Sequence, residues 1–336
     1  MTTRFPNLRV KAVASQHIEN AQKRAEQFGI QACTVDELLA DPEIELVVNL
    51  TPLGAHEGVI RSALMVGKHV YTGKTMTGDP AAAKKLVELA KEKGLVLAGA
   101  PDTFLGSGFQ TAGAAIKAGK IGQITGFAIT ASRNWELLAN IFPFLRAKGP
   151  GMCYDFGVYH VTALVSLLGG VESVAAFTTK PTAYHYLIPN SPHFGEDLIC
   201  DNETRVSAAI RLRSGVTGTL MLDGDSVSRD ETFFRIYGTR GILELGDPNE
   251  FGQPVRILLP PLDPRDSADY ETLAPVNCYS DNCRGLGVQE TAKAILQGKK
   301  SPLDASLPYH VLEVLSAILR SSETGQVIHL ESDYSL

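Results

Sequence analysis

Lys74 stands in the segment Lys68-His-Val-Tyr-Thr-Gly-Lys-Thr-Met-Thr-Gly-Asp-Pro80, just after a short apolar run. That run follows a strand–helix unit, so it reads as a parallel strand. The carboxyl end of such a strand is where open α/β sheets bind ligands. A lysine beside a bound hydroxyl can take part in proton transfer; otherwise it is a surface lysine after an edge strand. A second cluster is Asp155, Tyr159 and His160. Asp155 and Tyr159 are four apart and share a helix face. His160 points roughly 140° away from Asp155 in an ideal helix. Tyr159 has the better geometry for an acid/base role, and His160 titrates nearer neutral pH. Both stay open, with packing as the alternative. Thr51, Pro52 and His56 follow another apolar strand. Thr51 can cap a helical turn that Pro52 begins, and helix starts bind phosphate.

The elements that must position these residues follow from periodicity and end signals. Leu8 to Ala14 reads as a strand, His17 to Phe28 as a helix stopped by Gly29, and Ile44 to Leu50 as a buried strand. Thr34-Val-Asp-Glu37 is a capping box opening a short helix. Ala55 to Val66 is a helix, His69 to Thr72 a strand, and Asp79-Pro80 opens a helix that runs to Lys93. Leu95 to Ala98 is a further strand. This alternation predicts a doubly wound parallel sheet. After Gly119 the strands lengthen and alternate: 122–132, 171–179, 204–212, 215–223, 232–237 and 241–245. They predict a mostly antiparallel sheet, with helices at 155–168, 285–297 and 307–324 over one face. The span 258–281 reads as a long loop. The expected organisation is an α/β domain over residues 1–121 and an α+β domain over 122–336.

A chain of 336 residues is long for one core, which favours two domains. A net charge of −6 without a lysine/arginine-rich run argues against a nucleic-acid surface. The five cysteines form no CxxC pair, so reduced thiols in a cytoplasmic protein and no metal site are expected. The start lacks the apolar core of a signal peptide, and no apolar run approaches membrane-spanning length.

Four segments resemble, in order, those of the Gfo/Idh/MocA oxidoreductases. Val47-Val-Asn-Leu-Thr-Pro52 with His56 is similar to their strand–TP–His segment. Lys68-His-Val-Tyr-Thr-Gly-Lys-Thr75 is similar to their GKHVxxEKP segment. Gly149-Pro-Gly-Met-Cys-Tyr-Asp-Phe-Gly-Val-Tyr-His160 resembles their GGGxxxDxGxH segment, and Tyr309-His-Val-Leu-Glu-Val with Glu323-Thr-Gly325 their closing helix. The resemblance implies a Rossmann-like domain followed by a substrate-binding, oligomerising α+β domain. It implies NAD- or NADP-dependent hydride transfer at a hydroxyl carbon of a sugar, cyclitol or related polyol. It implies that Thr51, Pro52, His56, Lys74 and Asp102 border the cofactor. By register Tyr159 takes the acid/base position, with His160 one residue later, and Asp155 contacts a substrate hydroxyl. A homodimer or homotetramer is expected by the same analogy, with no nucleic-acid or membrane partner.

The chain departs from the pattern in several places. The family's glutamate and proline in EKP are Gly73 and Thr75. Only seven residues precede Leu8, where a first strand and a GxGxxG loop belong. That strand sits mid-sheet, so its lack would leave a gap. The expectation is a true start roughly twenty residues upstream, the length of that strand, its loop and half a helix. A short form that rearranges its sheet, or a non-catalytic sugar-binding or regulatory relative, are the alternatives. Gly106-Ser-Gly108 reads as close packing joining the two domains and not as the fingerprint, because it ends the alternating unit. Ser15 ends the strand where an acid would grip the ribose 2′-hydroxyl of NAD, so it leans to the 2′-phosphate of NADP. Arg133, Trp135 and Arg146 flank the aspartate segment. There the sole tryptophan is read equally as a sugar platform or as core.

Overall fold

The computed structural model describes residues 4, 5, 7–142, 145, 151–180, 184–185, 194–195, 197–198, 201–261, 263 and 265–336. Arg146, Gly149, Pro150 and Cys200 lie outside them. The chain divides into two compact units, Met1–Asp102 with Arg284–Tyr309, and Thr103–Cys283 with His310–Leu336.

The first unit runs β1 (Ala12–Ala14), α1 (Ile18–Phe28), β2 (Gln31–Cys33), α2 (Val35–Ala40), β3 (Leu46–Asn49), α3 (His56–Met65), β4 (His69–Thr72), α4 (Pro80–Glu92) and β5 (Leu97–Gly99). Its helices end where the cap chemistry says. Thr34 and Glu37 form the reciprocal capping box of α2. Asp79 accepts from the Ala81 and Ala82 amides, and Pro80 opens α4. Gly29 closes α1 in the left-handed region. The parallel strands fall in two sheets, β1-β2 and β3-β4-β5. No strand joins β1 to β3 among the described residues. Lys68 is buried, and its Nζ donates to the Asp41 and Ile44 carbonyls at 2.6 and 2.8 Å. It therefore holds the loop before β3. The returning stretch supplies α8 (Leu286–Gln297), and Asp304 bridges Ala98 of β5.

The second unit contains α5 (Ser107–Lys117), β6 (Ile124–Asn134), α6 (Trp135–Ile141), α7 (Val158–Leu168), β7 (Val171–Thr179), β8 (Tyr184–His185), β9 (Asp197–Leu198), β10 (Arg205–Leu212), β11 (Thr217–Asp223), β12 (Asp225–Gly238), β13 (Gly241–Leu245), β14 (Arg256–Leu258), β15 (Tyr270–Thr272) and β16 (Ile328–His329). The unit boundary at Tyr309 falls within α9 (Ser306–Thr324). Nine strands form one sheet in the order β15-β14-β13-β12-β6-β11-β10-β7-β16. It is antiparallel except where β11 runs parallel to β6. Strand β10 alternates strictly, with Val206, Ala208, Ile210 and Leu212 inward. The inward face packs on helices: Leu222 of β11 and Leu315 of α9 both approach Gly157.

Several expectations change. The first strand is Ala12–Ala14 and not the whole of Leu8–Ala14, while β2 and α6 are additional elements. The expected loop over 258–281 contains β15. The division leaves α5 with the second unit, whereas the sequence pattern changes after residue 121. The turn Gly106–Gly108 packs inside the second unit: a Cβ on Gly106 would lie 2.4 Å from the Phe251 carbonyl oxygen. Trp135 is fully buried, so it is core and not a sugar platform.

Candidate active site

In the first unit each candidate follows the carboxyl end of a parallel strand. Ser15 follows β1 and is half-buried. Thr51 and Pro52 follow β3, Lys74 follows β4, and Asp102 follows β5. The ends of β3 and β4 are knitted together by buried polar groups. Asn49 donates from Nδ2 to Thr72 Oγ1 at 3.1 Å. Its Oδ1 accepts from the Thr51 amide at 3.2 Å and the Thr51 hydroxyl at 2.7 Å. The Gly73 amide donates to the Asn49 carbonyl at 2.9 Å. His56 is buried below this ledge, with Nδ1 2.8 Å from the Thr75 carbonyl oxygen and Nε2 2.9 Å from that of Thr51. Carbonyl oxygens only accept. The neutral ring therefore satisfies one of them at a time, and the fully protonated ring satisfies both. His56 thus ties the loop after β3 to the loop carrying Lys74, which is itself half-buried.

Leu50 is 75% exposed beside the exposed Thr51 and Pro52. The Asp102 carboxylate accepts from the Gly285 and Gly287 amides at 3.0 and 2.9 Å. Burial pushes this carboxyl up, against the pull of those two donors. In the first unit it is the cap of α8.

In the second unit, Asp155 lies in a π-helical turn (Cys153–Gly157) that leads into α7. Asp155 and Tyr159 are half-buried, as is Tyr154. His160 is fully buried. Its Nδ1–H donates to the Phe156 carbonyl at 3.2 Å, and its ring meets that of Phe156 edge-on at 4.7 Å. Burial pushes His160 down to about 4. The Arg133 guanidinium stacks over Phe156 at 3.9 Å and opposes a further charge there. Glu203, absent from the sequence reading, accepts the Cys153 amide at 2.9 Å. A lone acid before a strand carries no signal in sequence. Asn49 carried a faint one, as a polar residue closing an apolar strand.

Among the described residues, no three His, Cys, Asp or Glu are grouped to hold a metal ion, and no helix is long and apolar enough to cross a membrane.

Residues 1–100 match the family model described as "Oxidoreductase family, NAD-binding Rossmann fold", and residues 109–244 match the "GFO/IDH/MocA C-terminal domain". This chain belongs to the Gfo/Idh/MocA oxidoreductase family. An uncharacterized oxidoreductase of Schizosaccharomyces pombe is 35% identical over 149 residues, 42% of this chain. The chain spans only 38% of the length of that relative. A "D-xylose 1-dehydrogenase (NADP(+)) 2" of Haloferax volcanii is 23% identical over 337 residues, 95% of this chain and 91% of its own. The solved structure of a levoglucosan dehydrogenase in complex with NADH and levoglucosan shares the fold, with a TM-score of 0.81 and 20% identity. That match covers 95% of this chain and 89% of the other.

Proposed function

We propose that this protein is an NAD(P)-dependent oxidoreductase that passes a hydride between nicotinamide and a hydroxyl carbon of a sugar, cyclitol or related polyol. The observation that carries the reading is Lys74, half-buried after the carboxyl end of β4 in a loop whose Thr75 carbonyl meets His56. The family match and the names of two relatives, a xylose and a levoglucosan dehydrogenase, support it.

The first unit's share is the dinucleotide. Ser15, Thr51 and Pro52 would hold it, and His56 would hold Thr51. When bound, the dinucleotide supplies the hydride acceptor or donor. Lys74 moves the hydroxyl proton as the carbon changes oxidation state. Asp155 accepts a substrate hydroxyl hydrogen bond and Tyr159 assists the proton's transfer. Tyr159 is preferred to His160 because it shares the accessible side with Asp155, whereas His160 is enclosed and bonded to Phe156. Ser15 leans the cofactor choice toward NADP. If Ser15→Asp left NADPH affinity unchanged, that lean would be wrong. We also propose a homodimer or homotetramer, a soluble cytoplasmic setting, and no nucleic-acid or membrane partner.

The test is a titration of the purified chain with NADPH and NADH, followed by nicotinamide fluorescence. A screen with D-xylose, levoglucosan and inositols, read by nicotinamide absorbance, comes next. Saturable binding and a substrate-dependent absorbance change are expected. Sugar binding without any absorbance change, whichever dinucleotide is supplied, would instead identify a non-catalytic binding protein.

A further inference from the structure

Residues 153–157 of the second unit form a π-helical turn. Such turns are rare, and they concentrate at functional sites. This one is gripped from outside the helix by one residue. The Glu203 backbone carbonyl accepts from the Met152 amide at 3.1 Å, and its Oε1 accepts from the Cys153 amide at 2.9 Å. Glu203 is only 8% exposed. A buried carboxyl is a costly way to fill space, so packing alone does not explain it. A Cβ on Gly151 would lie 2.2 Å from Glu203 Oε1 and 2.4 Å from Cδ and Oε2. Gly151 and Glu203 therefore fit only as a pair. The Asp155 amide in turn donates to the Gly151 carbonyl at 2.9 Å. Thr204, next to Glu203, is anchored to two strands, β7 and β12. The Thr204 amide donates to the Thr179 carbonyl at 3.0 Å, and its hydroxyl to Asp225 Oδ2 at 3.1 Å.

The core holds α7 through buried Val161, Leu164 and Val165. If the π turn relaxed to an α turn, the residues before it would rotate by roughly 100° about that fixed helix. Asp155, which lies inside the turn, would be displaced relative to Tyr159 on that fixed helix, although the two share a face in either geometry. We propose that Glu203 is a positioning residue: by holding the π turn it fixes where Asp155 stands relative to Tyr159. This rests on the reading of Asp155 and Tyr159 as the substrate-facing pair.

The test uses the whole chain and the variants Glu203→Gln, Glu203→Asp, Glu203→Ala and Gly151→Ala. Glu203→Gln keeps an acceptor of the same reach and is expected to retain KM within about twofold. Glu203→Asp and Glu203→Ala withdraw it and are expected to raise the sugar KM by about tenfold or more, with NADPH affinity unchanged. Hydrogen exchange at the Cys153 amide should speed up in both and not in Glu203→Gln. Gly151→Ala should harm the wild type more than the Glu203→Ala background, since the obstructing carboxyl is gone. Glu203→Asp serves where Glu203→Ala does not fold. Unchanged Cys153 exchange in folded Glu203→Asp or Glu203→Ala would overturn the proposal. So would an unchanged KM, or equal damage from Glu203→Gln. If no sugar turns over, the enzyme reading fails on its own, and the exchange measurement still decides whether Glu203 fixes the turn.

Discussion

Asn49 and Lys74 sit at the ends of neighbouring strands and differ in what they supply. Asn49 is buried and serves Thr51 and Thr72 on both sides. Asn49→Ala strands those partners and should cost about 1–3 kcal/mol. A lower urea midpoint with an unchanged slope would show it; an unchanged midpoint would mean that the network holds nothing. Lys74→Ala should leave stability within about 0.5 kcal/mol and lower turnover by about 100-fold or more. Full turnover in that variant would remove Lys74 from the chemistry. Residue type and strand-end position single out Lys74 in the sequence, and only the family resemblance favours a role in chemistry over a surface lysine. The ties around it were not legible there. His56 meets the Thr75 carbonyl, and Asn49 meets Thr72, only once β4 lies beside β3.

At the scale of elements, end signals were legible wherever a side chain caps its own helix, as Thr34 and Asp79 do. Strand β2 has three residues and α6 seven, too few for a period to show. The return of Arg284–Tyr309 to the first unit and the π turn before α7 depend on distant partners, Asp102 and Glu203. Helix α9 shows such a dependence in a titratable form. His310 Nε2 accepts from the Val171 amide at 2.8 Å, and its Nδ1–H donates to Ser332 Oγ at 2.7 Å. Only the neutral ring makes both bonds. Burial pushes His310 down to about 4, with Arg213 adding to the push and Glu313 and Asp333 opposing it. In the unfolded chain the ring titrates near 6.5. Between those values the unfolded chain takes up a proton that the folded chain refuses. The contribution is thus complete above about pH 6.5 and lost as the pH falls toward 4. The interval corresponds to about 3 kcal/mol at most. The buried carboxyls of Asp102 and Glu203, pushed up, act with the opposite sign, so the comparison must be between variants. His310→Gln keeps a donor and an acceptor without titrating. Thermal melts from pH 7 to 4.5 should show a shallower acid loss for the variant than for the wild type, with His160 supplying part of what remains. Parallel curves would mean that His310 does not titrate in this window.

At the scale of the whole molecule, the nine-stranded sheet turns one face inward, with Val206, Ala208, Ile210 and Leu212 of β10 buried on it. Strand register aligns a row across the other face: Phe177 opposite Ser207, Ser207 opposite Met221, Met221 opposite Thr130, and Thr130 opposite Phe233. Phe177 is 74% exposed, Met221 43% and Phe233 37%. The neighbouring row, Ala175, Ala209, Thr219 and Ala128, ends at Arg235, which is paired with Glu244. These two rows of small and apolar side chains, flanked by Arg211, the Arg205–Asp223 pair and the Arg235–Glu244 pair, cost free energy in water and suit a matching surface. The proposed homo-oligomer covers it by meeting a second copy of the same sheet, because a two-fold axis brings identical patches together. The prediction is read by size-exclusion chromatography with light scattering. The wild type should elute at two or four times the chain mass. Phe177→Glu with Met221→Glu should shift it to a smaller species, because each new carboxylate would face its own copy across the axis. Neither position points into the core, so the melting temperature of the separated chain should reflect only the lost interface. A wild type at the mass of one chain, or a double variant that stays assembled, would place the interface elsewhere and leave this sheet face to some other partner.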